Sequence, residues 1–159
     1  MPRSAEVSAG VLVYRRAGDL EVLLAHPGGP FWAKKDAGVW TIPKGLVESG
    51  DLITNARREF AEETGLKVAG PFVPLKPVKQ RSGKVVHAFA TEADLDLARS
   101  RSNRFEIEWP PRSGKIKRFP EVDRVAYFDI ETAMTKILAY QLPFLRELIE
   151  ILQPEHGTK

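Results

Sequence analysis

The chain contains no cysteine and only three histidines. The absence of cysteine excludes disulfide bonds, thiolate nucleophiles and cysteine-ligated zinc sites. The histidines are His26, His87 and His156, which are too scattered along the chain to form a recognisable metal motif. Cysteine chemistry is therefore excluded as the basis of function, and the histidines do not point to a metal site.

A long apolar run is also missing. No stretch of about 18 apolar residues is present, and the opening residues MPRSAEV lack the apolar core of a signal peptide. With 159 residues and 43% hydrophobic content, the chain is long enough for one substantial core and too short for two ordinary domains. We expect a soluble cytoplasmic protein without a membrane partner. We also expect one domain over residues 1–159, with residues 153–159 as a flexible tail.

The net charge of +3 and pI of about 9.2 are compatible with a nucleic acid, a small anionic substrate or no specific partner. The basic residues gather in two segments, 76–84 and 112–118, with apolar strands between them. This spacing favours a pocket for a small phosphoanhydride substrate over a duplex-binding face, and a solvated surface is the alternative. We therefore expect no stable nucleic-acid partner, and the oligomeric state stays open.

The segment Leu52–Thr64 is rich in strong helix formers and predicts a helix. Asp51 is in the position of an N-cap, and Gly65 is the usual left-handed stop. At 100° per residue, Glu62 lies about 60° to one side of Glu59 and Glu63 about 40° to the other. The three carboxylates therefore share one stripe of this helix. Arg58 lies about 40° from Glu62 on the same wheel, close enough to pair with it.

This acidic stripe borders the apolar face predicted for Ile53, Ala56 and Phe60. Carboxylates crowded beside an apolar face repel one another unless a cation neutralises them. Oxygen ligands alone suit Mg²⁺ or Mn²⁺. The pattern indicates a divalent-metal site, while the alternative is a solvated acidic face, which is the usual role of glutamates on a helix.

The wider stretch PKGLVESGDLITNARREFAEETGL, residues 43–66, resembles the signature of the Nudix hydrolase family. That signature is a glycine, five residues, an acid, seven residues, and then Arg-Glu-apolar-x-Glu-Glu-x-Gly-apolar. Two departures exist: Asp51 stands where a glutamate is usual, and six residues separate it from Arg58. The matching residues are Gly45, Asp51, Arg58, Glu59, Phe60, Glu62, Glu63, Gly65 and Leu66.

Three further segments, KQRSGKVVHAF, SNRFEIEWPPRSGK and FPEVDRVAYF, resemble a branch of the family described as predicted NTP pyrophosphohydrolases. The resemblance covers most of the chain and implies an α/β fold, a Nudix-type α/β/α sandwich with a mixed β-sheet. It also implies Arg58, Glu59 and Glu62 as catalytic residues, and Lys44 close to the substrate phosphates. The implied metal ligands are the Gly45 carbonyl, Glu59, Glu62 and Glu63.

Four basic or aromatic residues are further candidates for substrate binding. Arg81 and Lys84 flank a predicted hairpin turn from which they can reach a phosphate. Trp32 and Trp109 are candidates for stacking on a base. Phe31, beside Trp32, is expected to pack onto the core. The general base stays open: Glu59 and Glu62 are candidates, with Glu106, Glu108, Glu121 and Asp123 as outside candidates.

The remaining elements follow from residue patterns. The predicted strands are 4–15, 20–26, 39–42, 73–79, 84–91, 105–109 and 122–129, and the predicted C-terminal helices are 130–138 and 141–152.

The expected reaction is Mg²⁺-dependent hydrolysis of a phosphoanhydride bond by metal-activated water. The expected substrate is a nucleoside triphosphate or a related nucleoside diphosphate linked to another moiety. One alternative is a dinucleoside polyphosphate (Ap4A-type) or diphosphoinositol polyphosphate hydrolase. A second is a non-catalytic nucleotide-sensing or RNA-associated Nudix module.

Overall fold

The computed structural model describes residues 6–153, which form a seven-stranded mixed sheet with helices on both faces. A separate two-stranded ribbon is built from β7 and β8. Short 3₁₀ turns occupy Leu97–Arg99 and Ala139–Gln141. The strands are β1 (Val7–Ala17), β2 (Asp19–Pro27), β3 (Lys44–Leu46), β4 (Val73–Pro74), β5 (Val78–Lys79), β6 (Val85–Glu92), β7 (Arg104–Glu108), β8 (Ile116–Pro120) and β9 (Val122–Asp129), and the helices are α1 (Leu52–Thr64), α2 (Ile130–Lys136) and α3 (Leu142–Leu152).

The main sheet has the strand order β4-β6-β1-β2-β9, with β3 paired to β1 and β5 paired to β6. Only the β1–β6 pair among these is parallel, so the sheet is mixed. Ala56 and Phe60 of α1 are fully buried in the core on one face. Ala133 of α2 and Phe144 of α3 are fully buried in the core on the other face. The predicted α/β/α sandwich is therefore confirmed.

Local sequence signals place α1 correctly at both ends. The side chain of Asp51 accepts a hydrogen bond from the Thr54 backbone N–H at 3.0 Å, as an N-cap does. Gly65 adopts a left-handed φ of 73° and its N–H donates to the carbonyl of Ala61 at 2.8 Å. The helix therefore begins and ends where the sequence predicts.

The predicted strand at 39–42 is wrong. This segment forms only two isolated bridges, Ala25 with Thr41 and Trp40 with Ile137. Residues 39–42 do not continue as a strand of the sheet, because the backbone N–H of Ile42 donates to the side chain of Gln141 at 3.0 Å and not to a neighbouring strand.

The predicted strand at 73–79 divides into β4 and β5. Pro77 lies between them and has no N–H to donate to a ladder. The helix predicted for 130–138 ends at Lys136. Residues 4 and 5 of the first predicted strand and most of the expected tail lie outside the described residues. Among residues 6–153, no helix combines the length and apolar character needed to cross a bilayer.

Candidate metal and substrate site

Gly45 and Glu59 meet where the β3 backbone passes the glutamate stripe of α1. Gly45 of β3 pairs with Ala9 of β1, which fixes this backbone against the sheet. A Cβ built on Gly45 would overlap the carboxylate of Glu59. A side chain at position 45 would therefore force the Glu59 carboxylate to move away from the β3 backbone.

Arg58 connects two of the three glutamates that are predicted as metal ligands. Its Nη1 donates to Glu59 Oε2 at 2.9 Å and to Glu62 Oε2 at 3.3 Å. The Arg58–Glu62 pair, expected from helical spacing, is confirmed. The Glu59 side chain is 14% exposed and that of Glu62 43% exposed, so the first faces inward and the second faces solvent.

Asn55 supports this arrangement and was missed by the sequence reasoning. It is buried, and its Oδ1 accepts a hydrogen bond from Arg58 Nη2 at 2.8 Å. Its Nδ2 donates to the carbonyls of Ser49 at 2.7 Å and Asp51 at 2.8 Å, which ties the preceding loop to α1. Asparagine has a low helix propensity, so its presence among the apolar positions of a predicted helix was a sign in the sequence that this side chain has a specific role.

Glu63 lies in a partly buried position beside Lys44. The backbone N–H of Lys44 donates to Glu63 Oε1 at 3.2 Å. Burial raises the pKa of Glu63 from 4.5 to about 8; the Lys44 N–H opposes this shift, and the charges of Glu59 and Glu121 add to it. Burial also raises the pKa of Glu59, against the opposing charge of Arg58. At both carboxylates the effect of burial on the pKa is therefore larger than that of the neighbouring positive charge.

The donor set suits a hard divalent cation by its chemistry. All the predicted ligands are oxygen atoms, two of the carboxylates have raised pKa values, and the Gly45 backbone closes one side. Within residues 6–153, however, no three His, Asp or Glu side chains already converge tightly enough to enclose an ion. Arg58 occupies oxygen atoms of Glu59 and Glu62, which explains part of this.

A cavity of about 480 Å³ opens beside Glu63. Its other walls come from the loop 100–104 and from the beginning of β9. Three arginines line it, Arg101, Arg104 and Arg124, together with Asp123. The sequence reasoning did not select these arginines, because they belong to segments that only the fold brings together.

Asp123, which lines this cavity, lies within hydrogen-bonding distance of a fully buried histidine. His26 Nδ1 lies 2.8 Å from Asp123 Oδ1, and its Nε2 lies 2.6 Å from the carbonyl oxygen of Lys35. The imidazole therefore bridges a carboxylate and a main-chain carbonyl. His26 thus joins the loop after β2 to the cavity wall.

The other predicted substrate residues lie apart from this cavity. Lys84 pairs with Glu6 at 3.3 Å, and Arg81 borders a different cavity with Tyr140. Trp32 is 39% exposed, with the Lys35 ammonium 5.3 Å from its ring centre. The structure brings Lys44, but none of these three residues, to the glutamates.

Phe31 and Trp109 pack against each other. Phe31 is 55% exposed and packs edge to face on Trp109 at 5.2 Å, so the expectation that Phe31 packs onto the core is wrong. Trp109 does not line the cavity beside Glu63.

Of the outside candidates for the base, Glu106 and Glu108 are exposed on the β7–β8 ribbon, and Glu108 accepts a hydrogen bond from the N–H of Gly114 at 2.7 Å. Glu121 differs, because its charge contributes to the raised pKa of both Glu59 and Glu63.

Comparison with solved structures gives the same fold in other organisms. The NUDIX domain of Shewanella oneidensis NrtR complexed with ADP ribose matches at 17% identity and a TM-score of 0.67, over 96% of this chain and 91% of that one. A Caenorhabditis elegans (C. elegans) Ap4A hydrolase in a binary complex matches at 22% identity and a TM-score of 0.64, over 91% of this chain and 97% of that one. A mutT/nudix family protein from Listeria innocua matches at 17% identity and a TM-score of 0.62, over 99% of this chain and 100% of that one.

These identities are low enough that they establish the fold alone. The family model described as NUDIX domain matches residues 5–148, which include α1, Gly45 and the arginine-lined cavity. The chain belongs to the Nudix family.

Proposed function

We propose that the chain catalyses Mg²⁺-dependent hydrolysis of a phosphoanhydride bond by water. The proposed substrate is a nucleoside triphosphate or a related nucleoside diphosphate linked to another group. The observation that carries the proposal is the close approach of the Gly45 backbone in β3 to the Glu59 carboxylate of α1, with Glu63 held next to it by the Lys44 N–H. Burial raises the pKa of both carboxylates, in agreement with this arrangement.

Glu59, Glu62, Glu63 and the Gly45 carbonyl are the groups that would hold Mg²⁺ or Mn²⁺. The metal would supply charge neutralisation at the diphosphate and a lowered pKa for the attacking water. Arg58 orients the carboxylates of Glu59 and Glu62 through its two hydrogen bonds.

Lys44, the first residue of β3, contributes a cation next to these carboxylates, where it can contact substrate phosphate. We rank Glu121 first among the outside candidates for the base that accepts the proton of the water, because its charge reaches both inner glutamates. No covalent intermediate is needed in this scheme.

The solved structures that share the fold support a nucleotide-type substrate. One is bound to ADP ribose and another is an Ap4A hydrolase. ADP-ribose and Ap4A both contain phosphoanhydride bonds attached to adenosine, and they differ in the group at the other end of the phosphate chain. A panel built around that difference is therefore the appropriate test.

The experiment measures the products from nucleoside triphosphates, ADP-ribose and dinucleoside polyphosphates with and without Mg²⁺. Glu62→Gln is expected to lower turnover by roughly 10²- to 10⁴-fold without loss of folding. Glu150→Gln, an exposed glutamate on α3, is the matched control and should keep the rate. Equal rates in wild type and Glu62→Gln would reject the site assignment, and no turnover on any substrate would favour the non-catalytic module.

A further inference from the structure

We propose that the arginine-lined cavity beside Glu63 binds a phosphate group of the substrate other than those of the cleaved anhydride. The preferred substrate would then carry one phosphate more than a simple nucleoside diphosphate derivative. This inference rests on the proposed function, because it names the substrate class of the same site.

The charges around the cavity favour an anion. Arg101, Arg104 and Arg124 line it, opposed by Asp123 and by Glu63 at its edge. Asp123 already faces His26 at 2.8 Å and the Nε of Arg124 at 3.6 Å. An excess of positive charge therefore remains for a ligand.

Two of the guanidinium groups are available for binding. Between residues 6 and 153, neither Arg101 nor Arg104 forms an ion pair with a carboxylate. Both residues are exposed, so a bound phosphate needs to displace only water to reach them. Guanidinium groups bind phosphate oxygens through paired hydrogen bonds, which gives them an advantage over lysine at such a site.

A nucleobase is a poorer occupant of this cavity. Base recognition in proteins commonly uses aromatic faces for stacking, and in the described part of the chain, residues 6–153, no aromatic residue lines the cavity. Trp32 and Trp109, the residues expected to stack on a base, do not line it. The lining is therefore suited to phosphate and not to a ring.

The segment that carries Arg101 and Arg104 is hydrogen-bonded to α1. The N–H of Arg101 donates to the carbonyl of Thr64 at 2.7 Å, and the N–H of Asn103 donates to the carbonyl of Glu62 at 2.9 Å. Asn103 in turn accepts from the N–H of Glu121 at 2.8 Å. Because these bonds hold the loop against α1 and β9, a substrate that spans both groups binds a preorganised site.

Two sources of the extra phosphate share this chemistry: a longer phosphate chain and a separate phosphate ester. The first experimental arm compares kcat/KM for ADP and ATP, which differ by one phosphate in the chain. The second compares NADH and NADPH, which differ by one phosphate ester and contain the same anhydride. The arm in which the additional phosphate raises kcat/KM identifies the source.

The expected result is an increase of about tenfold or more in one arm for the wild type, reduced to a ratio near one in Arg101→Gln/Arg104→Gln. The matched control is Arg16→Gln/Arg146→Gln, in which two exposed arginines outside the cavity are changed and the wild-type ratio should remain. Ratios near one in both arms for the wild type, or ratios that Arg101→Gln/Arg104→Gln leaves unchanged, would overturn the inference. Thermal unfolding checks that both double variants are folded.

A binding measurement separates this inference from the proposed function. Calorimetric titration of inorganic tripolyphosphate in a chelator should show binding about tenfold weaker in Arg101→Gln/Arg104→Gln than in wild type and in the control. Arginine-dependent binding without turnover of any substrate would retain the cavity assignment and reject the enzyme. Turnover with equal tripolyphosphate binding in all three proteins would reject the cavity assignment and retain the enzyme.

Discussion

Replacing Glu63 with glutamine should change how stability depends on pH. The pKa of this carboxyl is about 8 in the folded protein and 4.5 as the ordinary value. The folded state therefore holds a proton that the unfolded state releases, so this group favours folding below pH 4.5 and loses that contribution as pH rises through 8. The metal-free wild type should lose on the order of 1 kcal/mol of unfolding free energy per pH unit between pH 5 and 8.

Glutamine has no charge to bury, so the slope from Glu63 should vanish in Glu63→Gln. The variant should be more stable than wild type at pH 8 by a few kcal/mol, with the two converging near pH 5. Added Mg²⁺ should then stabilise wild type at pH 8 and have little effect on Glu63→Gln, because a cation compensates the buried charge.

The assay is urea unfolding in a chelator, followed by tryptophan fluorescence, since Trp40 is buried in the core. Glu150→Gln, an exposed position on α3, is the control and should follow the wild-type curve. Parallel pH profiles for wild type and Glu63→Gln would show that Glu63 is not buried as an uncompensated acid, and the reasoning about the metal site would fail with it.

Three further substitutions test the parts of the site. Gly45→Ala should lower kcat by about tenfold or more, with little change in the melting temperature, because the added methyl displaces the flexible Glu59 carboxylate. Asn55→Ala should reduce the free energy of unfolding by about 1–3 kcal/mol and also lower kcat, because it removes two loop bonds and the contact to Arg58. His26→Ala should destabilise by about 3 kcal/mol, measured by urea unfolding, since it leaves a buried cavity and two unpaired acceptors.

Each of these substitutions has an outcome that contradicts its premise. An active Gly45→Ala protein would mean that the Glu59 carboxylate does not need its position. Wild-type stability in Asn55→Ala would mean that the loop is held by other contacts. A fully stable His26→Ala protein would show that the loop after β2 does not depend on the histidine.

The sequence predicted most of what is local in this protein. The caps of α1 at Asp51 and Gly65, and the Arg58–Glu62 pair, depend on residues at most four positions apart, so spacing alone defines them. The strand at 39–42 was predicted from the same kind of local pattern and is wrong, because Gln141 takes the N–H of Ile42 from far along the chain.

What spacing alone determined is the acidic stripe and the glycine motif before it. Only the tertiary structure decided that Gly45 lies against Glu59, that burial raises the pKa of Glu63 and that three arginines share one cavity. The physical reason is that pKa and cavity charge depend on groups brought together from α1, the loop 100–104 and β9. No local pattern in the sequence contains those distances.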